Sequence, residues 1–177
     1  WFDQYLKGTF KWPATPQTEV KLKTASGLPM VTVRADQSRP IQSLKVYYCQ
    51  HGGIYKNHSH NAHRFWRSAT VRKQGDLWVA ELPLYCTDRP LWVYADAEYR
   101  LDEPISFSGY YYQDQTAESF HVSSVIELIK PEKLQSVGIK PTIKPTSLIE
   151  DFQGNWKDEW FSFNEKTNYW ELKTNKL

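Results

Sequence analysis

The residues best equipped for chemistry lie in HGGIYKNHSHNAH, residues 51–63, which holds four of the five histidines: His51, His58, His60 and His63. Imidazole is the commonest metal ligand. On an extended backbone, residues i and i+2 project the same way. His58 and His60 therefore share a side, and His63 can join them from a turn, giving a three-histidine set suited to zinc or copper. Against this, the stretch carries Gly, Asn, Ser and Lys and contains no carboxylate to complete the ligand set or orient an imidazole. It reads first as a long solvated loop, with His58, His60 and His63 as its metal candidates, and no cofactor is implied.

Other reactive groups form weaker patterns. His121 precedes Ser123 and Ser124, a pairing frequent by chance, and no G-x-S-x-G elbow accompanies it. Cys49 lies two residues before His51, but a reactive thiol needs an electropositive, partly exposed setting, and a cysteine at a strand end usually packs. The carboxylate pairs Asp96/Glu98 and Asp102/Glu103 have the residue types of glycoside hydrolysis; placed at strand ends, they are expected to be solvated. No catalytic residue is predicted. Aromatic side chains carry more weight, with 8 Trp and 11 Tyr. Trp and Tyr planes stack on the apolar faces of sugar rings, and aromatic-lined sites with a few polar groups suit small ligands. The ligand-binding candidates are Trp92, Tyr94, Tyr111 within the run Tyr110-Tyr111-Tyr112, and the pair Trp156 and Trp160. About half of these candidates are expected to fill the sandwich core instead.

The elements that must position these residues are strands. TEVKLKT sets Val20 and Leu22 against Glu19, Lys21 and Lys23. LPMVTVRA follows the turn residues Ser26 and Gly27, and SLKVYYC puts Leu44, Val46 and Tyr48 on one face. HRFWRSATV and LWVAELP flank Gly75-Asp76 as a hairpin. LWVYADAEY sends Leu91, Val93, Ala95 and Ala97 to one side, and ISFSGYYYQ and ESFHVSS read as two further strands. Seven or eight short strands with regular turn signals predict an all-β, immunoglobulin- or fibronectin-III-like sandwich over residues 17–137. PEKLQSVG within it reads as a short helical turn between Pro131 and Gly138.

Around this domain, residues 1–8 (WFDQYLKG) form an amphipathic helix ended by Gly8, with Trp1, Phe2, Tyr5 and Leu6 on one face. Two such turns are marginal alone and must lean on a neighbour, since isolated helices below about 12 residues are unstable. That face is expected either to rebury on the sandwich or to lie exposed. Residues 9–16 read as a linker with two prolines. The tandem IKPT of residues 138–147 reads as an extended spacer. Residues 148–177 hold seven aromatics from Phe152 to Trp170 and are expected to dock on the sandwich or to begin a further module. Cys49 and Cys86 are either one disulfide or two thiols. The formal charge of +2 across 177 residues argues against nucleic acid as a partner. No apolar run approaches the about 18 residues of a membrane span.

WFDQYLKG is similar to the last helix of secreted or periplasmic α/β-hydrolases of the dienelactone-hydrolase and prolyl-oligopeptidase-like kind. PMVTVR, LKVYYC, RFWRSA, LWVAELP and LWVYADAEY resemble the β-sandwich appended to some of these enzymes, across residues 28–99. The resemblance implies a secreted or periplasmic location and adjacent domains of the same polypeptide as partners. It also implies that the elbow serine, acid and histidine belong to a domain preceding Trp1, so none maps onto a residue of this chain. The segment LIEDFQGNWKDEWFSF resembles the opening of galactose-binding-like jelly-roll modules. The leading expectation is a non-catalytic accessory domain of a larger hydrolase; the alternative is a polysaccharide-binding module that uses exposed aromatics.

Overall fold

The computed structural model describes residues 3–50, 65–108 and 114–144. The chain divides into two compact units, Trp1–Lys144 and Pro145–Leu177, and the second lies outside the described residues.

Among the described residues the period-two segments form nine strands: β1 (Gln17–Lys21), β2 (Met30–Arg34), β3 (Ile41–Cys49), β4 (Arg67–Ala69), β5 (Val71–Gln74), β6 (Leu77–Glu81), β7 (Leu91–Ser108), β8 (Asp114–Ser123) and β9 (Glu127–Ile129). They make two antiparallel sheets. One has the order β1-β2-β6-β5, and the other has β4-β3-β7-β8 with β9 also pairing β7. Gln74 pairs Leu77, so Gly75-Asp76 is a two-residue hairpin loop, and Gly75 takes φ 59° where only glycine sits without strain.

The apolar sets predicted from alternation face one another as a single core. Val31 and Val33 of the first sheet are fully enclosed, as are Val46, Leu91, Val93, Ala95, Ala97 and Tyr99 of the second. A single helical turn, α1 (Pro131–Ser136), closes one end with Leu134 fully buried, and Gly138 follows at φ 71°.

Several expectations change. Ile105–Ser108, the described part of ISFSGYYYQ, is not a separate strand: β7 runs unbroken from Leu91 to Ser108, and its register against β8 shifts between Arg100 and Ile105. Pro104 lies inside that irregular stretch, where its missing N–H costs no ladder bond. The segment 9–16 is not a loose linker. Pro13 and Pro16 are buried, and the rings of Phe10 and Trp12 meet Phe120 edge-on at 5.5 and 4.7 Å. The spacer also begins later than its composition suggests. Ile139 is buried, and the N–H groups of Thr142 and Ile143 both donate to the Leu84 carbonyl at 2.9 and 3.0 Å. Cys49 and Cys86 are both thiols. At the N-terminus, Asp3–Lys7 winds as one π-helical turn bridged by its own ion pair at 2.8 Å. Tyr5 and Leu6 are 62% and 68% exposed, and Trp1 and Phe2 lie outside the described residues.

Leu91→Ala removes a fully enclosed side chain from the central strand, and it should cost about 2–5 kcal/mol. Urea denaturation should show a lower midpoint with an unchanged m-value. Leu128→Ala, at a site 36% exposed on β9, should shift the midpoint far less.

Candidate functional site

Because β7 turns Leu91, Val93, Ala95, Ala97 and Tyr99 inward, Trp92, Tyr94, Asp96 and Glu98 must face outward. On β3 the same parity sends Ser43, Lys45 and Tyr47 to that outer face. The register sets Tyr47 opposite Tyr94, Lys45 opposite Asp96 and Ser43 opposite Glu98. On the other flank, β8 sets Ser123 opposite Asp96 and His121 opposite Glu98. One sheet face thus carries a row of aromatics followed by two rows of polar and charged groups.

The Tyr47 and Tyr94 rings stack at 5.2 Å and 25°, and Trp66 meets Tyr94 edge-on at 4.8 Å. All three are half-buried, as is Trp92. Burial raises the Tyr94 hydroxyl above the ordinary tyrosine range, and the neighbouring Tyr47 and Asp96 add to this. Beyond the rings, each carboxylate is held from two sides. Asp96 meets His121 Nδ1 through Oδ2 at 2.7 Å and accepts the Ser123 hydroxyl through Oδ1 at 2.7 Å. Glu98 accepts Ser119 Oγ at 2.7 Å and Ser43 Oγ at 2.8 Å on separate oxygens. Those two donors, Ser119 foremost, hold the Glu98 carboxyl below the usual glutamate range, with smaller help from His121 and Lys45.

Asp96 and Glu98 were expected at strand ends; they sit inside a paired stretch of β7 instead. His121 and Ser123 do share a face, as i and i+2 must. Both bond to Asp96, however, so the hydroxyl is donated to the acid, and the arrangement lacks the nucleophile–base contact of a catalytic triad. Asp102 lies in the irregular part of β7 and pairs with Arg39 at 2.8 Å. Among the described residues, no group of three His, Cys, Asp or Glu side chains is arranged to hold a metal.

Of the sequence-level candidates, Trp92 and Tyr94 fall on this outer face. Tyr111, Trp156 and Trp160, and the metal candidates His58, His60 and His63, lie outside the described residues. Tyr47 is an addition, while Glu98 and His121, weighed in the sequence as catalytic groups, join this face as polar neighbours. The signal for Tyr47 and Glu98 was already in the alternation, since the residues between the inward set must form a second set of their own.

A cleft of about 350 Å³ lies between the sheets at the Arg39–Ile41 corner, lined also by Lys73 and Trp78. The Lys73 ammonium stands 5.4 Å over the Trp78 ring and covers its face, so the cleft offers no open stacking surface there. No helix among the described residues is long and apolar enough to cross a membrane. No protein-family model, curated protein or solved structure matches this chain.

The double clamp on Glu98 has a direct readout. Its carboxyl should titrate below an ordinary glutamate in a carbonyl-detected NMR titration, and Ser43→Ala with Ser119→Ala together should return it toward the ordinary value. A depressed acid favours the folded state above its unfolded-state pKa. That contribution should therefore fade as pH falls through the depressed value, and the double variant should show a flatter acid limb.

Proposed function

We propose that the chain is a non-catalytic accessory domain of immunoglobulin or fibronectin-III type within a larger secreted or periplasmic hydrolase, and that it holds neighbouring modules at a fixed separation. Two features support the fold type. The first is the strand order, β1-β2-β6-β5 against β4-β3-β7-β8, which corresponds to the A-B-E-D and C′-C-F-G sheets of that architecture. The second is the Greek-key crossover that this order requires.

The observation that carries the function is the anchoring of both flanking segments. On the N-terminal side, Phe10 and Trp12 lock onto Phe120, and Phe120 stacks on the buried Tyr99 at 5.6 Å. The Arg39 guanidinium lies 4.3 Å over the Phe10 ring. The Ala14 N–H donates to Asp36 Oδ2 at 2.6 Å, and the Trp12 N–H donates to Gln4 Oε1 at 2.6 Å. On the C-terminal side, Thr142 and Ile143 bond to Leu84.

The Ala14–Asp36 bond and the Thr142 and Ile143 bonds to Leu84 sit at opposite ends of the first sheet. Asp36 follows the end of β2, while Leu84 follows Leu82, whose N–H donates to the Pro29 carbonyl before the start of β2. At the strand rise, the residues from Pro29 to Asp36 separate these ends by about 20 Å. A chain that enters at one end and leaves at the other, fastened at both, behaves as a spacer of set length.

Amide hydrogen exchange tests this directly. Ala14, Trp12, Thr142 and Ile143 should exchange far more slowly than unstructured amides; exchange at intrinsic rates would sink the reading. Trp12→Ala should lower stability by about 2 kcal/mol and release the Ala14 amide. Asp36 adds a pH signature. The Ala14 and Ser38 N–H groups hold its carboxyl below the ordinary aspartate range. Its clamp is therefore intact above that range and should open as pH falls through the depressed value. Hydrolysis of p-nitrophenyl acetate by the folded chain beyond the rate of the urea-unfolded chain would count against a non-catalytic role.

A further inference from the structure

We infer that the outer face of β3, β7 and β8 is a binding site for a neutral saccharide, with Tyr47 and Tyr94 as the stacking shelf and Lys45, Asp96, Glu98 and His121 as its hydrogen-bonding floor. This goes beyond the spacer role and does not rest on it.

A pyranose has an apolar C–H face and a rim of hydroxyls that each donate and accept. The Tyr47–Tyr94 pair puts two half-buried rings, stacked on each other with Trp66 edge-on to Tyr94, on the outer face of the sheet. The next outward residues along both strands are Lys45 and Asp96, then Ser43 and Glu98. Two residues of strand advance place each row about 7 Å beyond the last, which is within reach of a ring seated on the shelf and of its neighbouring unit.

The floor is pre-oriented. The Ser43, Ser119 and Ser123 hydroxyls each occupy one site on a carboxylate oxygen, and His121 stands against Asp96 Oδ2. A carboxylate offers about four acceptor positions, so each acid keeps acceptor capacity for a ligand hydroxyl. The Lys45 ammonium supplies donors, and the His121 imidazole, 53% exposed as a side chain, presents its far edge to solvent. Fixing these groups in advance lowers the ordering cost of binding.

Charge selects the ligand class. The floor sets two carboxylates, Asp96 and Glu98, beside Lys45 and His121, so it carries no surplus of cations to draw phosphate-bearing or uronate polymers. The tethered polar rows also disfavour a purely apolar protein partner, which would have to strand them without water.

Affinity electrophoresis of the full chain through gels containing xylan, mixed-linkage β-glucan, galactomannan or pullulan tests the site, with polygalacturonate as the anionic comparison. The expected result is retardation by at least one neutral polymer. Tyr94→Ala should abolish it, and His121→Ala should weaken it about tenfold, the scale of one hydrogen bond in a charged network. His121 lies at the surface, so its variant tests the site even where Tyr94→Ala fails to fold. No retardation by any neutral polymer would overturn the inference. So would retardation by polygalacturonate alone, or retardation that survives His121→Ala but is lost in Trp156→Ala.

Discussion

Everything described here hangs on the two-residue period of β7. Its inward residues, Leu91, Val93, Ala95, Ala97 and Tyr99, have no solvent exposure at all, and the strand pairs with β3 on one side and with β8 and β9 on the other. A slip of one residue would exchange the two faces. It would push Asp96 and Glu98 into an apolar core, at several kcal/mol for each buried ion. No nearby register competes with that penalty, so the outward positions of Trp92, Tyr94, Asp96 and Glu98 are as firmly fixed as the core itself. The candidate site is in this sense the reverse side of the core.

The same strand also ties down the segment before β1. Tyr99 ends the inward row. Its hydroxyl donates to the Asp36 carbonyl at 3.0 Å, while its ring stacks on Phe120. Burial, with Asp36 nearby, raises that hydroxyl above the ordinary tyrosine range, so it keeps its proton and donates at neutral pH. Asp36 in turn caps Ala14, and Phe120 receives Phe10 and Trp12. A segment with two prolines cannot secure itself through ladder bonds. Here ring packing and one carboxylate do that work, each edge-on aromatic pair adding about 0.5–1.5 kcal/mol beyond its buried area.

Much of this was legible in the sequence, because alternation is a strong signal wherever one face is buried. The sequence puts Leu44, Val46 and Tyr48 on one face and Leu91, Val93, Ala95 and Ala97 on one side, and those are the buried faces. The Gly75-Asp76 hairpin and the Pro131 turn followed from local chemistry and are present. The failures share a cause. The two prolines of residues 9–16 mark a linker in the sequence, and ISFSGYYYQ reads there as a strand of its own; proline lacks a donor and fixes φ. The structure places Pro104 where no donor is required and buries Pro13 and Pro16 against the domain, which only long-range packing can decide. The site was half legible. The outward set on β7 was implied by the inward one, but the partnership of Asp96 with His121 depends on β8 register across an irregular stretch, and 25 residues of sequence separate the two.

The state of the carboxylates decides what kind of chemistry this face favours. A general acid for glycoside cleavage must hold its proton near neutral pH, which requires a carboxyl raised by apolar surroundings or by a second unpaired acid. Glu98 has the opposite environment, with two hydroxyls donating to it and a lysine and a histidine nearby, and its carboxyl is pulled down. Such an anion gives up no proton; it accepts hydrogen bonds. Asp96 is likewise engaged on both oxygens. Two acids at the i, i+2 spacing can suggest hydrolysis when read as a pattern. Set on this sheet, with serines pinning their oxygens and tyrosines beside them, they form a fixed row of acceptors.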